Sequence, residues 1–76
     1  MEEKLYQIIA NVMNVPADSI DKDSSPKTVA AWESLKHMNL LLAVEEAFGV
    51  TFTDEDIVEM EDARSILDKL SEKGAE

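Results

Sequence analysis

Residues 34–49, SLKHMNLLLAVEEAFG, decide the fold class of this chain. Apolar residues recur through the segment at helical spacing, and no Pro interrupts it. Gly49 is typical of the residue that follows a helix in the left-handed conformation. The segment therefore predicts a helix over residues 34–48 that ends at Gly49.

This helix carries two apolar faces, whose centres lie roughly 120° apart on a wheel of about 100° per residue. A helix that packs on a bundle from one side needs only one such stripe. We therefore expect one face to be buried and the other to form an exposed docking strip. The core face consists of Leu41, Val44 and Phe48, and the docking strip of Leu35, Met38 and Leu42. A helix buried over most of its circumference is the alternative, and solvent accessibility distinguishes the two.

A first helix is predicted before this segment. Its apolar residues at helical spacing are Leu5, Ile8, Ile9, Val12 and Met13. Pro16 stops the helix near Asn14 or Val15. Residues 16–33 then read as a long connection, rich in Asp, Ser and Lys, of a length that is often functional. We expect Ile20, Val29 and Trp32 to hold it onto the core.

Two more helices are predicted after Gly49. Thr53 is a candidate N-cap for a short third helix that does not pass Met60 and is the least stable element. Asp62 is a candidate N-cap for a last helix that ends at Lys73 and Gly74. The expected fold is all-α, a small four-helix bundle of three longer helices and one short one, with a long first loop.

Length and composition limit the classes of function. The 76 residues are enough for a single domain over 1–76, and an apolar share of 45% is typical of a folded one. Seven Lys and Arg against 17 Asp and Glu give a net charge of −10. This charge disfavours nucleic acid and anionic membrane surfaces and favours partners with basic docking surfaces.

The chain contains no Cys, which excludes disulfides and thiolate chemistry of its own. The N-terminus lacks the pattern of a signal peptide, and the longest apolar run, residues 40–44, is too short to cross a bilayer. We expect a cytoplasmic protein with no stable membrane insertion.

Catalytic and metal motifs are weak. His37 lies three residues after Ser34, but no oxyanion hole or substrate pocket is evident, so we interpret it as a solvated surface His. Asp21, Asp23 and Ser25 begin like a calcium loop, yet Pro26 stands where Gly is needed. We therefore expect neither intrinsic catalysis nor a metal site.

Ser34 at the helix start has two interpretations. It is an ordinary N-cap, or it carries a group through its hydroxyl. A helix N-terminus stabilises anions, so a phosphodiester on Ser34 is electrostatically favourable.

The motif Trp32-Glu33-Ser34-Leu35, followed by LLLAVEEAFGV over residues 40–50, resembles phosphopantetheine carrier proteins of the acyl carrier type. The resemblance extends over nearly the whole chain. It implies that Ser34 accepts a phosphopantetheine arm from coenzyme A, installed by a phosphopantetheinyl transferase with magnesium. The arm's thiol then holds acyl intermediates as thioesters and presents them to enzymes of fatty acid, lipid or polyketide-type biosynthesis.

The resemblance also implies roles for other residues in what we expect to be a monomer. Acyl-transferring, ligase or synthase enzymes would meet a docking face of Glu33, Leu35, Met38, Leu42, Glu45 and Glu46. An acyl chain that folds back into the bundle would be lined by Leu41, Val44, Phe48, Phe52, Ile57 and Ile66. We also expect the short helix over residues 54–60 to be the movable wall of that pocket, because it has the fewest apolar anchors.

This sequence departs from the family pattern near Ser34. Glu33 stands where the family most often has Asp, and Trp32 stands where its fatty-acid-synthesis members often have a small residue. Lys36 and His37 make the surface just after Ser34 less acidic. These departures suggest a specialised carrier with dedicated partners. Two alternatives stay open: an aminoacyl or peptidyl carrier, and an acidic helical adaptor without a prosthetic group.

Overall fold

The structure is a computed structural model that describes residues 2–75. Its elements in chain order are α1 Glu2–Met13, a 3₁₀ turn Ala17–Ser19, α2 Ser34–Phe48, α3 Asp54–Glu59 and α4 Ala63–Glu72. No strand occurs among the described residues. The prediction of an all-α bundle with three longer helices, one short helix and a long first loop is confirmed.

Helix α1 ends where the sequence predicts. Asn14 follows the last helical residue with a φ of 59°, a left-handed conformation that Asn adopts more readily than most residues. The N–H of Val15 then donates to the Ala10 carbonyl at 3.0 Å, so one of the terminal carbonyls of the helix has a partner.

Helix α2 is capped at both ends, though not by Ser34. Glu33 is the N-cap, and its carboxylate accepts a hydrogen bond from the Lys36 N–H at 2.7 Å. Ser34 is the first residue inside the helix, so its interpretation as the N-cap is wrong. Gly49 follows the helix with a φ of 66°, which a residue with a Cβ adopts only at a cost in free energy.

Capping boxes begin both C-terminal helices at the predicted residues. Thr53 accepts from the Asp56 N–H, and the Asp56 carboxylate accepts from the Thr53 N–H. Asp62 and Ser65 exchange the same pair of hydrogen bonds at the start of α4. Each box satisfies two backbone N–H groups that a helix leaves unpaired.

A single apolar core joins the helices. The buried apolar residues are Leu5, Ile9, Ala10, Met13, Ile20, Trp32, Leu40, Leu41, Val44, Phe52, Met60, Ala63, Ile66 and Leu70. Helices α1, α2 and α4 all contribute to this core, whereas α3 contains no buried residue. Met60, directly after α3, is the residue that inserts there.

The long loop is held against the bundle by side chains and by backbone hydrogen bonds. Ile20 and Trp32 are buried and Val29 is half-buried, as the sequence predicts. Ser24 is buried as well, and its carbonyl accepts from the N–H of Ala63 at 3.0 Å. This bond brings the middle of the loop to the start of α4. Within the described residues, no helix has the length and apolar character needed to cross a membrane.

Candidate functional site

Ser34 presents an exposed hydroxyl at the N-terminus of α2. Because Glu33 supplies the capping oxygen, Ser34 Oγ has no hydrogen-bond partner within residues 2–75. The free N–H groups and the dipole of this 15-residue helix favour negative charge beside that hydroxyl. A phosphodiester on Ser34 therefore has a favourable electrostatic position.

An open cleft of about 610 Å³ lies beside Ser34. Its walls come from the long loop, the start of α2 and the turn between α3 and α4. The lining residues are Ser25, Pro26, Lys27, Trp32, Glu33, Ser34, His37, Glu61 and Asp62. The contact between Ser24 and Ala63 explains how residues so distant in sequence meet here.

Trp32 and His37 form a pair in the lining of this cleft. The indole Nε1–H donates to His37 Nδ1 at 2.8 Å, and the two rings stack with an interplanar angle of 27°. Trp32 is 2% exposed and His37 is half-buried, so His37 lies partly at the surface, as expected, but is fixed by Trp32 and not freely solvated. The sequence analysis did not predict this pair. The available signal was the position of Trp32 just before the helix and of His37 in its first turns.

The pairing bears on the Ser34–His37 dyad considered above. His37 Nδ1 is already an acceptor for Trp32, and no hydrogen bond joins Ser34 Oγ to His37 among the described residues. Within residues 2–75, no three His or carboxylate side chains converge as a metal-binding group either.

Solvent accessibility separates the two apolar faces of α2. Leu35 is 68% exposed, Met38 45% and Leu42 59%, whereas Leu41 is 2% exposed and Val44 is fully buried. The alternative of a helix buried over most of its circumference therefore does not hold. The role of the exposed strip in docking stays a prediction.

The three acidic residues of the expected docking face have different surroundings. Glu33 caps α2 and stays exposed, and Glu46 is exposed. Glu45 is half-buried, and its Oε2 accepts from the N–H of Phe52 at 2.6 Å. Glu45 thus has an internal role, in fixing the chain after Gly49, that the sequence did not reveal.

The residues expected around an acyl chain lie together in the core. Leu41, Val44, Phe52 and Ile66 are buried, and Phe48 and Ile57 pack against them from half-buried positions. None of the six lines the cleft beside Ser34. Their role as an acyl pocket stays a prediction.

Electrostatic effects at the cleft involve its carboxylates. The Ser65 hydroxyl and backbone N–H hold the pKa of Asp62 below its usual range, so Asp62 is ionised at neutral pH. Both Asp62 and Glu33 use a carboxylate oxygen to cap a helix.

The free hydroxyl of Ser34 and the open cleft beside it fit a covalently attached phosphorylated arm.

The family model for the phosphopantetheine attachment site matches residues 3–70. The chain therefore belongs to this family of phosphopantetheine-bearing carrier proteins, and phosphopantetheine is its cofactor. Within that class it is similar to several acyl carrier proteins. It is 32% identical to the acyl carrier protein of Petrotoga mobilis over 71 residues, covering 93% of this chain and 84% of the relative.

Two further acyl carrier proteins are also similar over most of both chains. That of Syntrophobacter fumaroxidans is 32% identical over 75 residues, which cover 99% of this chain and 93% of the relative. That of Solidesulfovibrio magneticus is 34% identical over 70 residues, covering 88% and 90% respectively. The similarity thus spans all four helices, and the resemblance noted from the sequence is confirmed.

Proposed function

We propose that Ser34 Oγ is the atom that bears the phosphopantetheine arm, and that the chain holds acyl intermediates on it as thioesters. The arm supplies the thiol that a chain without Cys lacks. The chain's own residues present the hydroxyl, favour the phosphate charge through the α2 N-terminus, and leave room for the arm beside it.

The position of Ser34 relative to Glu33 is the observation that carries this proposal. A serine retained only to start a helix is expected at the N-cap, with its oxygen bonded to a backbone N–H. Here Glu33 has that role, and Ser34 Oγ is exposed with no partner in residues 2–75. The hydroxyl is thus available to a modifying enzyme.

We further propose that partner enzymes dock on the α2 surface. Leu35, Met38 and Leu42 form an exposed apolar strip, and Glu46 lies exposed on the same helix. The net charge of −10 speeds the encounter with basic surfaces. The proposed partners are phosphopantetheinyl transferase and acyl-transferring, ligase or synthase enzymes. We also propose that the carrier is a cytoplasmic monomer and has no catalytic activity of its own.

The test is the intact mass before and after incubation with coenzyme A, magnesium and a permissive phosphopantetheinyl transferase. We expect a gain of one phosphopantetheine on the parent protein and none on Ser34→Ala. Ser71→Ala is the matched control, since it removes another exposed helical serine that does not line the cleft. It should be modified like the parent.

The opposite result has a defined meaning. No gain with several transferases contradicts the carrier proposal and supports an unmodified protein-binding adaptor. With a modified protein in hand, loading by fatty acyl, polyketide-type or aminoacyl ligases then assigns the cargo.

A further inference from the structure

We propose that the cleft beside Ser34 binds the arm itself, with the Lys27 ammonium and the His37 Nε2–H as donors to its phosphodiester and neighbouring polar groups. This inference rests on the proposed attachment at Ser34. It adds a noncovalent site on the chain for the part of the arm nearest the attachment atom. The same cleft that contains Ser34 contains both donors.

His37 is oriented for this role by Trp32. An indole N–H is only a donor, so His37 Nδ1 must be the acceptor in their 2.8 Å hydrogen bond. In the neutral imidazole the proton then resides on Nε2, which has no acceptor within residues 2–75. Because Trp32 is almost completely buried, it fixes the ring and acts as a positioning residue.

Lys27 is placed by an ordered turn of the long loop. The Lys27 N–H donates to Ser25 Oγ at 3.1 Å, and the Ser25 N–H donates to Thr28 Oγ1 at 3.0 Å. The ion pairs among the described residues involve only Lys69 and Lys73, so the Lys27 ammonium has no carboxylate partner there. Among the residues of 2–75 that line the cleft, Lys27 is also the only Lys or Arg.

The carboxylates around the cleft determine where a bound phosphodiester is repelled. Glu33 and Asp62 each accept a backbone N–H as a helix cap, which stabilises part of their charge locally. Glu61 is exposed, lines the cleft and has no such role. A phosphodiester in the cleft is therefore attracted by Lys27 and repelled by Glu61.

Tethering makes even a weak site effective. A group on a short flexible linker is present at an effective concentration on the order of millimolar. A site of comparable dissociation constant is then occupied for much of the time. None of Leu35, Met38 and Leu42 lines the cleft, so a docked arm leaves the strip open to partner enzymes.

The experiment compares nitrogen-15 NMR spectra of the unmodified protein and of the modified protein, whose mass is verified first. The reporters are the backbone amides of Ser25, Glu61 and Asp62, which lie away from Ser34 in sequence but line its cleft. We expect all three to shift on modification. Lys27→Ala and His37→Phe should reduce these shifts, and Glu61→Gln should enlarge them.

Two controls make the test specific. Lys22→Ala removes an exposed lysine of the same loop that does not line the cleft, and it should retain the parent's shifts. His37→Gln should also retain them in large part, because the amide accepts from Trp32 and still offers a donor.

Shifts confined to Ser34 and its sequence neighbours in a fully modified protein overturn the inference and leave the proposed function standing. Equal losses in Lys22→Ala and Lys27→Ala overturn it too, since they show a general charge effect. Absence of any mass gain removes the proposed function and this inference together.

Discussion

Lys69 on α4 reaches α3 and donates a hydrogen bond from its Nζ to Glu59 Oε1 at 2.6 Å. The same ammonium lies 3.4 Å from Asp56 Oδ1, and Lys73 Nζ lies 2.8 Å from Asp56 Oδ2. Because α3 has no fully buried residue, these charges, the half-buried Ile57 and Met60 directly after the helix hold α3 in place. A helix with so few buried contacts is expected to open more readily than the core helices, which is compatible with the movable wall predicted for an acyl pocket.

Lys69→Met tests this attachment. The substitution removes the ammonium that contacts Glu59 and Asp56, so we expect a lower melting temperature than that of the parent. We also expect amide hydrogen exchange to become faster than in the parent, and by a larger factor in α3 than in α1. Lys22→Met in the exposed loop is the control and should leave both quantities unchanged. Parent-like exchange in α3 of Lys69→Met would show that Ile57 and Met60 suffice to hold the helix.

The charges of this cluster also predict a dependence of stability on pH. The hydrogen bond from Lys73, followed by the Thr53 N–H, holds the pKa of Asp56 well below its usual range. Ionised Asp56 therefore contributes fully to the free energy of unfolding above the pKa of the carboxyl in the unfolded chain, which is about 4. This contribution is lost as pH falls through the lower pKa of Asp56 in the folded protein. Hydrogen bonding to Glu59 raises the pKa of Lys69, so that contribution is lost only in alkaline solution, above about pH 10.

Asp56→Asn isolates the acidic part of this dependence. The difference in unfolding free energy between parent and variant should be constant from about pH 6 to 8 and should shrink as pH falls below about 4. Urea unfolding at each pH measures it. Asp68→Asn, an exposed aspartate, is the control and should give a difference that varies less with pH. A difference for Asp56→Asn that stays constant down to pH 2 would contradict the assignment.

Added salt should raise the melting temperature of the parent. With 17 acidic and seven basic residues, repulsion among carboxylates outweighs the few ion pairs, and salt screens exposed charges over distances of about 10 Å at 0.1 M. The rise should be steeper in Lys69→Met, since that variant loses a cation between Asp56 and Glu59. Calorimetry over a salt series measures both slopes, and a parent melting temperature that falls with salt would show that the ion pairs dominate.

The parts of the fold that depend on local chemistry were predictable from the sequence. Gly49 marks the end of α2 because a positive φ favours a residue without Cβ. Thr53 and Asp62 mark the starts of α3 and α4 because their oxygens reach N–H groups within the same turn. These interactions span four residues or fewer, so the sequence pattern contains all the information they need.

Features that depend on tertiary contacts were not predictable in the same way. Burial of Ser24 and Lys69 follows from the approach of the loop and of α3 to α4, which no local pattern records. The Trp32–His37 bond joins residues only five apart, but it depends on the conformation of the loop before α2, which the sequence pattern does not specify. One local feature was also predicted wrongly: Ser34 was considered as the N-cap because Ser is the commoner residue there, but Glu33 occupies that position.

Leu41 and Leu42 are neighbours in sequence with opposite surroundings, at 2% and 59% exposure. Leu41→Ala should reduce the free energy of unfolding by about 2–5 kcal/mol, because it leaves a cavity in the core. Leu42→Ala should change it by less than about 0.5 kcal/mol, as is usual for a surface substitution.

In the reaction with a partner enzyme, Leu42→Ala should have a larger effect than Leu41→Ala, the opposite of their order in stability. If the strip docks the phosphopantetheinyl transferase, Leu42→Ala should lower kcat/KM for arm transfer by about fivefold or more, the effect of truncating a central interface residue. Leu41→Ala, assayed at a temperature where it is fully folded, should react at close to the parent rate. Parent-like kcat/KM for Leu42→Ala and for Leu35→Ala would place transferase docking elsewhere on the molecule, and the exposed apolar strip would then need a different partner.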